Sequence, residues 1–312
     1  MHQYNQQSRI AILYGGFSHE RDISLRSGQN AYDILRAHFE NIELVDVTHD
    51  LAWCERILDA DFVFNMLHGD YGEDGRVQSV LDMLSKKHST SGATTSALCF
   101  DKHLCTAVLK AGGIKSLHFP SDIVVNADGL SAIDISDINI SCDQHNQSKP
   151  PYIIKPSNSG SSFGVCIIHD NKDIERCARE WQFGKYAIIQ ELIHGIEVTG
   201  TVIANKFIGA MHTDYSSCDF FDYDQKYTKP YNKINLKNHK IYARLEDVCL
   251  AIYDILDCKG MVRIDFIYNE ERDMLYFLEV NTQPGFSSKS IVPVVAEQNG
   301  YSALEILRMQ MV

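Results

Sequence analysis

With 312 residues, 45% of them hydrophobic and 22% charged, the chain has the composition of a soluble globular protein long enough for two or three domains. A net charge of −12 leaves nucleic acid and anionic membrane surfaces without the basic footprint they need, so small-molecule partners are expected. The nine cysteines form no C-x-x-C pair and no zinc-spaced cluster with histidine, no run approaches the roughly 18 apolar residues of a bilayer span, and the polar start lacks a signal region, which together predict a cytoplasmic protein with reduced thiols.

Arg9 to Tyr14 reads as a buried strand ending at Gly15-Gly16, and Ser18-x-Glu20 opens a helix whose apolar positions Ile23, Ala31, Ile34 and Leu35 suit one face. A strand, a glycine turn and a helix make a ligand-binding mouth, but G-G-F-S-H-E lacks the G-x-G-x-x-G fingerprint, which disfavours NAD. Strands are predicted over 42–47 and 62–67. The second leads into H-G-D-Y-G-E-D-G, whose glycines and acids cannot pack a core and mark a functional loop. Taken alone, His68 reads as a surface or capping histidine.

Ser91-Gly92 begins a new segment in which S-A-L-C-F-D-K is predicted to start a helix, and residues 130–150 read as a polar surface excursion. A strand over 152–154 delivers Lys155 into P-S-N-S-G-S-S-F-G. A lysine at the end of a buried strand turns what composition would call a linker into a loop able to fold N–H groups over phosphates. Residues 186–192 form another strand, and a further strand starts near Glu197. The aromatic, charged segment F-F-D-Y-D-Q-K-Y over 220–227 has no regular period and fits a loop that closes over a ligand. A helix over 240–257 carries Ile241, Leu245, Val248, Ile252 and Ile255 as a core stripe that Gly260 ends.

Two apolar runs, 261–268 and 274–280, are joined by N-E-E-R-D and read as paired strands. Asp265, Glu279 and Asn281 interrupt this buried sequence. One reading makes them ordinary hairpin polars, with Asp265 capped by Arg263 and Asn281 starting the turn before Pro284. The other places a hard cation such as magnesium among three oxygen donors, because an unpaired buried carboxylate costs several kcal/mol. The T-Q-P-G turn favours a site: Pro284 fixes one dihedral, and Gly285 is expected to allow positive φ and a close ligand approach.

The motifs G-G-x-S-x-E-x-x-x-S, H-G-x-x-G-E-D-G, K-P-x-x-x-G-S-S-x-G and L-E-V-N-T-x-P-G-F together resemble the D-alanine–D-alanine ligase family of the ATP-grasp ligases, over nearly the whole chain. The resemblance implies an α/β ATP-grasp fold with a Rossmann-like domain over 1–90, a central α+β domain over 91–185 and a catalytic domain over 186–312. The implied reaction is ATP-dependent joining of two D-alanines through an acyl phosphate, with ATP, two magnesium or manganese ions and a homodimeric assembly.

Within that resemblance Glu20 holds the first ammonium and His68 lines the same subsite. Lys102, Lys155, Ser162, Phe220 and Leu278 serve the nucleotide, with Glu191, Ile193 and Glu197 at its backbone, apolar and ribose positions. Ser161 touches the substrate side, and Lys226 and Tyr227 form a lid pair, with Tyr227 at the position that accompanies dipeptide formation. Asp265, Glu279 and Asn281 hold metal, Arg263 with Gly285 N–H forms an oxyanion site, and Ser290, Ile291 and Arg263 fix the second substrate. Gln190 stands where the family has an acid, although its side-chain oxygen can still accept from an adenine amine. Gln190, Phe286 and Lys289 keep a different amino-acid pair or a hydroxy-acid acceptor open, and a non-catalytic nucleotide-binding regulator is the third reading.

Overall fold

The computed structural model describes residues 4–140, 151–160, 164–214 and 232–311. Its first sheet is parallel, in the order β2-β1-β3, with β1 (Arg9–Tyr14), β2 (Asn41–Asp46) and β3 (Phe62–Asn65). Ile10, Ala11, Ile12 and Leu13 are all buried in β1, as a parallel strand covered on both faces requires. Helix α1 (Arg21–Leu35) packs on it, but through Ser24, Ser27, Gly28, Ala31 and Leu35; the expected contributors Ile23 and Ile34 are only half-buried. Small side chains bring this helix close to its neighbours, which its apolar periodicity alone does not reveal.

The second sheet has the order β4-β7-β5-β6, with β4 (Asp122–Asn126), β5 (Tyr152–Pro156), β6 (Cys166–Ile168) and β7 (Tyr186–Glu191), all antiparallel. The expected boundary between 185 and 186 therefore falls inside this sheet, since β7 pairs with both β4 and β5. The predicted surface excursion is also partly core: Leu130, Ile138 and Ile140 are buried with Ile154 and Ile189, while residues 141–150 lie outside the described residues.

The third sheet has the order β10-β9-β8-β11-β12, built from β8 (Ile196–Ile203), β9 (Lys206–Asp214), β10 (Asn232–Asn235), β11 (Met261–Asn269) and β12 (Met274–Asn281). Period-two alternation assigns its faces. Val262, Ile264, Phe266 and Tyr268 point into a core shared with helices Ala93–Phe100, Lys102–Gly112 and Tyr242–Ile255, which leaves Arg263, Asp265 and Ile267 on the opposite face. The S-A-L-C-F-D-K segment ends one helix and starts the next. Asp101 is extended between them, and its Oδ1 accepts from His103 N–H and Leu104 N–H, both at 3.1 Å.

Helices Ile291–Gln298 and Ala303–Met309 bind the first sheet to the third through Phe64, Met211, Met261, Val292 and Leu307. A second joint is Gly260. Its φ is +64°, and a Cβ there would lie 1.8 Å from Ser89 O. Gly260→Ala should lower stability by roughly 2–4 kcal/mol, from left-handed strain plus a clash with backbone. A urea midpoint matching the parent would contradict this account of the joint.

Candidate active site

The faces of the second and third sheets enclose a cavity of about 180 Å³. Its walls bring together Lys102, Lys155, Gln190, Glu191, Ile193, Glu197 and Leu278 from the predicted nucleotide set, and Asp265 and Glu279 from the predicted metal set. Ser162 and Phe220 from the same predictions lie outside the described residues, as do Ser161, Lys226 and Tyr227.

The reason these residues converge is register. Asp265 on β11 sits opposite Thr199 on β8 and Glu279 on β12, and the next rung pairs Arg263 with Thr201 and Asn281. A shift in register between Asp265 and Phe266 lets β12 continue with its apolar residues toward the core. Asp265 is buried; it accepts from Arg263 Nε at 3.0 Å and Nη2 at 2.8 Å, and from the Thr199 hydroxyl. Glu279 lies 3.3 Å from Lys102 Nζ and 3.7 Å from Arg263 Nη2. Lys102 also donates to Ser159 O, tying the third sheet's helices to the loop after β5.

Lys155 is buried, and its ammonium is pushed down to about 8, first by desolvation and then by the Lys102 charge, against the opposing pull of Glu279 and Asp122. Such a cation is poised for an anion that replaces its lost hydration. Strand β7 is anchored structurally: Glu191 Oε1 accepts from Ser121 N–H at 2.8 Å, while Gln190 is buried between β4 and β5.

Asn281 Oδ1 accepts from Gln283 N–H at 2.8 Å and so opens the T-Q-P-G turn. Both contacts of the hairpin reading, Arg263 on Asp265 and Asn281 at the turn, are therefore present in the same face that carries the oxygen donors. Gly285 does not adopt positive φ; its need for glycine is steric, since a Cβ would lie 3.0 Å from Ser290 Oγ. Ser290 precedes helix Ile291–Gln298, and its hydroxyl lies 2.8 Å from Ser287 Oγ and accepts from Ser287 N–H at 3.0 Å.

A second cavity, of about 780 Å³, lies between the first sheet's loops and the loop after β5, and shares Ser159 with the first. Glu20 lines it, buried at the start of α1. Its Oε2 would lie 2.8 Å from a Cβ on Gly69 and 3.2 Å from one on Gly160, so two glycines from different loops make room for this carboxylate. The ring nitrogens of His68 face protein groups, with Nε2 3.0 Å from Ser27 Oγ and Nδ1 3.4 Å from Glu73 Oε1.

Sequence reasoning missed the residues that hold the motif loops in place. Arg21 grips Asp46 with two hydrogen bonds of 2.8 and 2.5 Å and donates to Gly16 O at 2.6 Å, which raises the guanidinium and lowers the carboxyl through that same hydrogen bonding. Gly15 and Gly16 both have positive φ, and a Cβ on Gly15 would fall 2.1 Å from Asp46 Oδ1. Ser27 and Thr199 were equally silent in sequence, because an isolated hydroxyl carries no spacing signal.

Two antiparallel sheets that clasp a cavity lined by buried lysines and by carboxylates on adjacent strands define an ATP-grasp fold. The family model described as D-ala D-ala ligase C-terminus matches residues 130–311. A D-alanine–D-alanine ligase of Rhizobium meliloti is 35% identical over 308 residues, covering 96% of this chain and 95% of its own length. One from Chelativorans sp. is 33% identical over 304 residues, covering 95% and 94%. Among solved structures, the D-alanine–D-alanine ligase from Bacillus anthracis complexed with ATP matches with a TM-score of 0.78 at 26% identity, over 98% of this chain and 96% of that one. The chain belongs to the D-alanine–D-alanine ligase family.

Proposed function

We propose that the protein joins two D-alanine molecules to D-alanyl-D-alanine at the expense of ATP, as a step in peptidoglycan precursor synthesis in the cytoplasm. The observation that carries this reading is the junction at Ser159, where the lysine-lined cavity between the sheets meets the cavity that holds Glu20. A phosphate donor in the first cavity thereby lies next to an amino acid in the second. Transfer of the terminal phosphate to the first carboxylate gives an acyl phosphate, and attack by the second amine gives the peptide and inorganic phosphate.

In this scheme Lys102 and Lys155, with Lys226, place positive charge on the transferring group, and Ser162 donates to it. Glu20 holds the first ammonium, with Ser161 and Tyr227 on the substrate side. Arg263 and Gly285 N–H stabilise the oxyanion, and Ser290 and Ile291 hold the second carboxylate. No covalent protein nucleophile is required.

Asp265, Glu279 and Asn281 fit magnesium or manganese: they are hard oxygen donors on adjacent strands, and both carboxylates face the cavity that holds two lysines. Two such ions, when bound, would neutralise charge on the phosphates. Three domains and a homodimer complete the proposal. Among the described residues no helix is long and apolar enough to cross a membrane.

The test is a panel of D-alanine, L-alanine, D-serine and D-lactate incubated with protein, ATP and magnesium, scored for ADP and product mass. D-alanyl-D-alanine with stoichiometric phosphate is expected, and little ester with D-lactate. An ester or mixed dipeptide as the main product overturns the substrate assignment, and no phosphate release with any amino acid leaves a nucleotide-binding protein.

A further inference from the structure

Helix α1 reaches both amino-acid subsites through side chains that the scheme above does not use. Ser27, fully buried, accepts a hydrogen bond from Phe286 N–H at 3.1 Å and lies 3.0 Å from His68 Nε2. The Glu73 carboxylate beside Nδ1 calls for a proton on that nitrogen, which in the neutral ring leaves Nε2 to accept from the Ser27 hydroxyl. The His68 proton then sits on Nδ1 and points at Glu73 Oε1, 3.4 Å away; the opposite tautomer would set a ring lone pair against that carboxylate.

The same Glu73 oxygen accepts from Gly69 N–H at 3.0 Å, and Gly69 is the residue whose missing Cβ makes room for Glu20. On the other side, Asn30 Nδ2 donates to Phe286 O at 2.7 Å, so α1 holds the Phe286 main chain at both its amide and its carbonyl. Phe286 directly follows Gly285, whose N–H serves the oxyanion in the scheme. A continuous chain of hydrogen bonds therefore runs from the turn of the second subsite, through Ser27, His68 and Glu73, to the loop of the first.

We propose that Ser27, with Asn30 on the same helix, is a positioning residue that fixes the separation of the two amino-acid subsites. His68 serves it as a strut. Rigid spacing matters because the acyl phosphate has two possible fates. Attack by the second amine forms the C–N bond and expels phosphate, whereas attack by water returns D-alanine and phosphate. Misplacing reacting groups by about 1 Å can cost on the order of 10²-fold in rate, so loosening the spacing favours water.

This inference rests on the ligase reading, and the ratio of phosphate released to dipeptide formed tests it separately. Wild-type protein that forms no ADP with D-alanine sinks the ligase reading itself. With active wild type the ratio is close to one, and in Ser27→Ala it should rise at least about threefold, with the KM for ATP within about twofold of wild type. A merely structural role would lower the amount of active protein and leave the ratio alone. Asn30→Ala releases the carbonyl of the same residue, Phe286, from a half-buried position, should raise the ratio in the same direction, and decides the matter if Ser27→Ala does not fold. A ratio unchanged in the folded variants overturns the proposal.

Discussion

Glu279→Gln is expected to remove most ligase turnover, by roughly 10²–10³-fold, while the protein stays folded. The replacement keeps the shape of the side chain and removes one formal charge from a face where Lys102 is 3.3 Å and Arg263 3.7 Å away. Neither cation is stranded by the change, because Arg263 retains Asp265 and Lys102 retains Ser159 O. The Glu279 side chain is 26% exposed, so the lost ion pairs should cost the fold no more than about 1 kcal/mol. Asp265 is a poorer probe: it is buried, and neutralising it would weaken the hydrogen bonds that hold Arg263 Nε and Nη2, so a structural loss would mix with a catalytic one. Phosphate release with D-alanine at saturating magnesium, alongside a urea titration, checks the prediction. Turnover near the parent value would refute the metal assignment, and loss of the folded state would show that Glu279 is structural.

Much of this arrangement was legible in the sequence because strand periodicity constrains it. Once 261–268 and 274–280 are read as a hairpin, alternation assigns Arg263 and Asp265 to the face opposite Val262 and Ile264, and a lysine ending a buried strand has few places to go but a cavity. What stayed hidden depends on contacts between distant segments. Residues 186–192 read as a strand, which in the structure ends at Glu191, but nothing local says that it pairs with β4 and β5 rather than with the strand that follows it. The polar look of 130–140 concealed three buried apolar residues, since composition averages over positions that packing treats singly. Gly285 is expected to allow positive φ and a close ligand approach; its φ is not positive and the atom nearest a Cβ there is Ser290 Oγ, because a glycine signals absent bulk without saying which atom needs the space. Ser27 has partners 41 and 259 residues away, which no local pattern can report.

The fold sustains an energetic cost at Lys155 that binding should relieve. Its ammonium is pushed down to about 8 from an ordinary value of 10.5, by burial first and by Lys102 second. A lysine whose folded value lies below its unfolded one destabilises the fold wherever it must be charged. The unfolded chain binds more protons between about 8 and 10.5, so this penalty is fully present at pH 7 and fades as pH rises through that window. By linkage it amounts to something on the order of 3 kcal/mol. Lys155→Met, apolar and close in volume, should therefore stabilise the ligand-free protein against urea at pH 7, with a gain that shrinks toward pH 10. The same variant should bind ATP roughly 10–100-fold more weakly, because a charge-assisted hydrogen bond to phosphate contributes about 1.5–3 kcal/mol, while the KM for D-alanine changes little. In the wild type, ATP affinity should fall as pH rises above about 8, since the nucleotide must then recruit a proton to Lys155. Urea midpoints at pH 7 and 10, with nucleotide titrations at the same values, separate these effects. A Lys155→Met protein less stable than the parent at pH 7, or one with unchanged ATP affinity, would show that the buried ammonium is held by the fold and does not serve the phosphates.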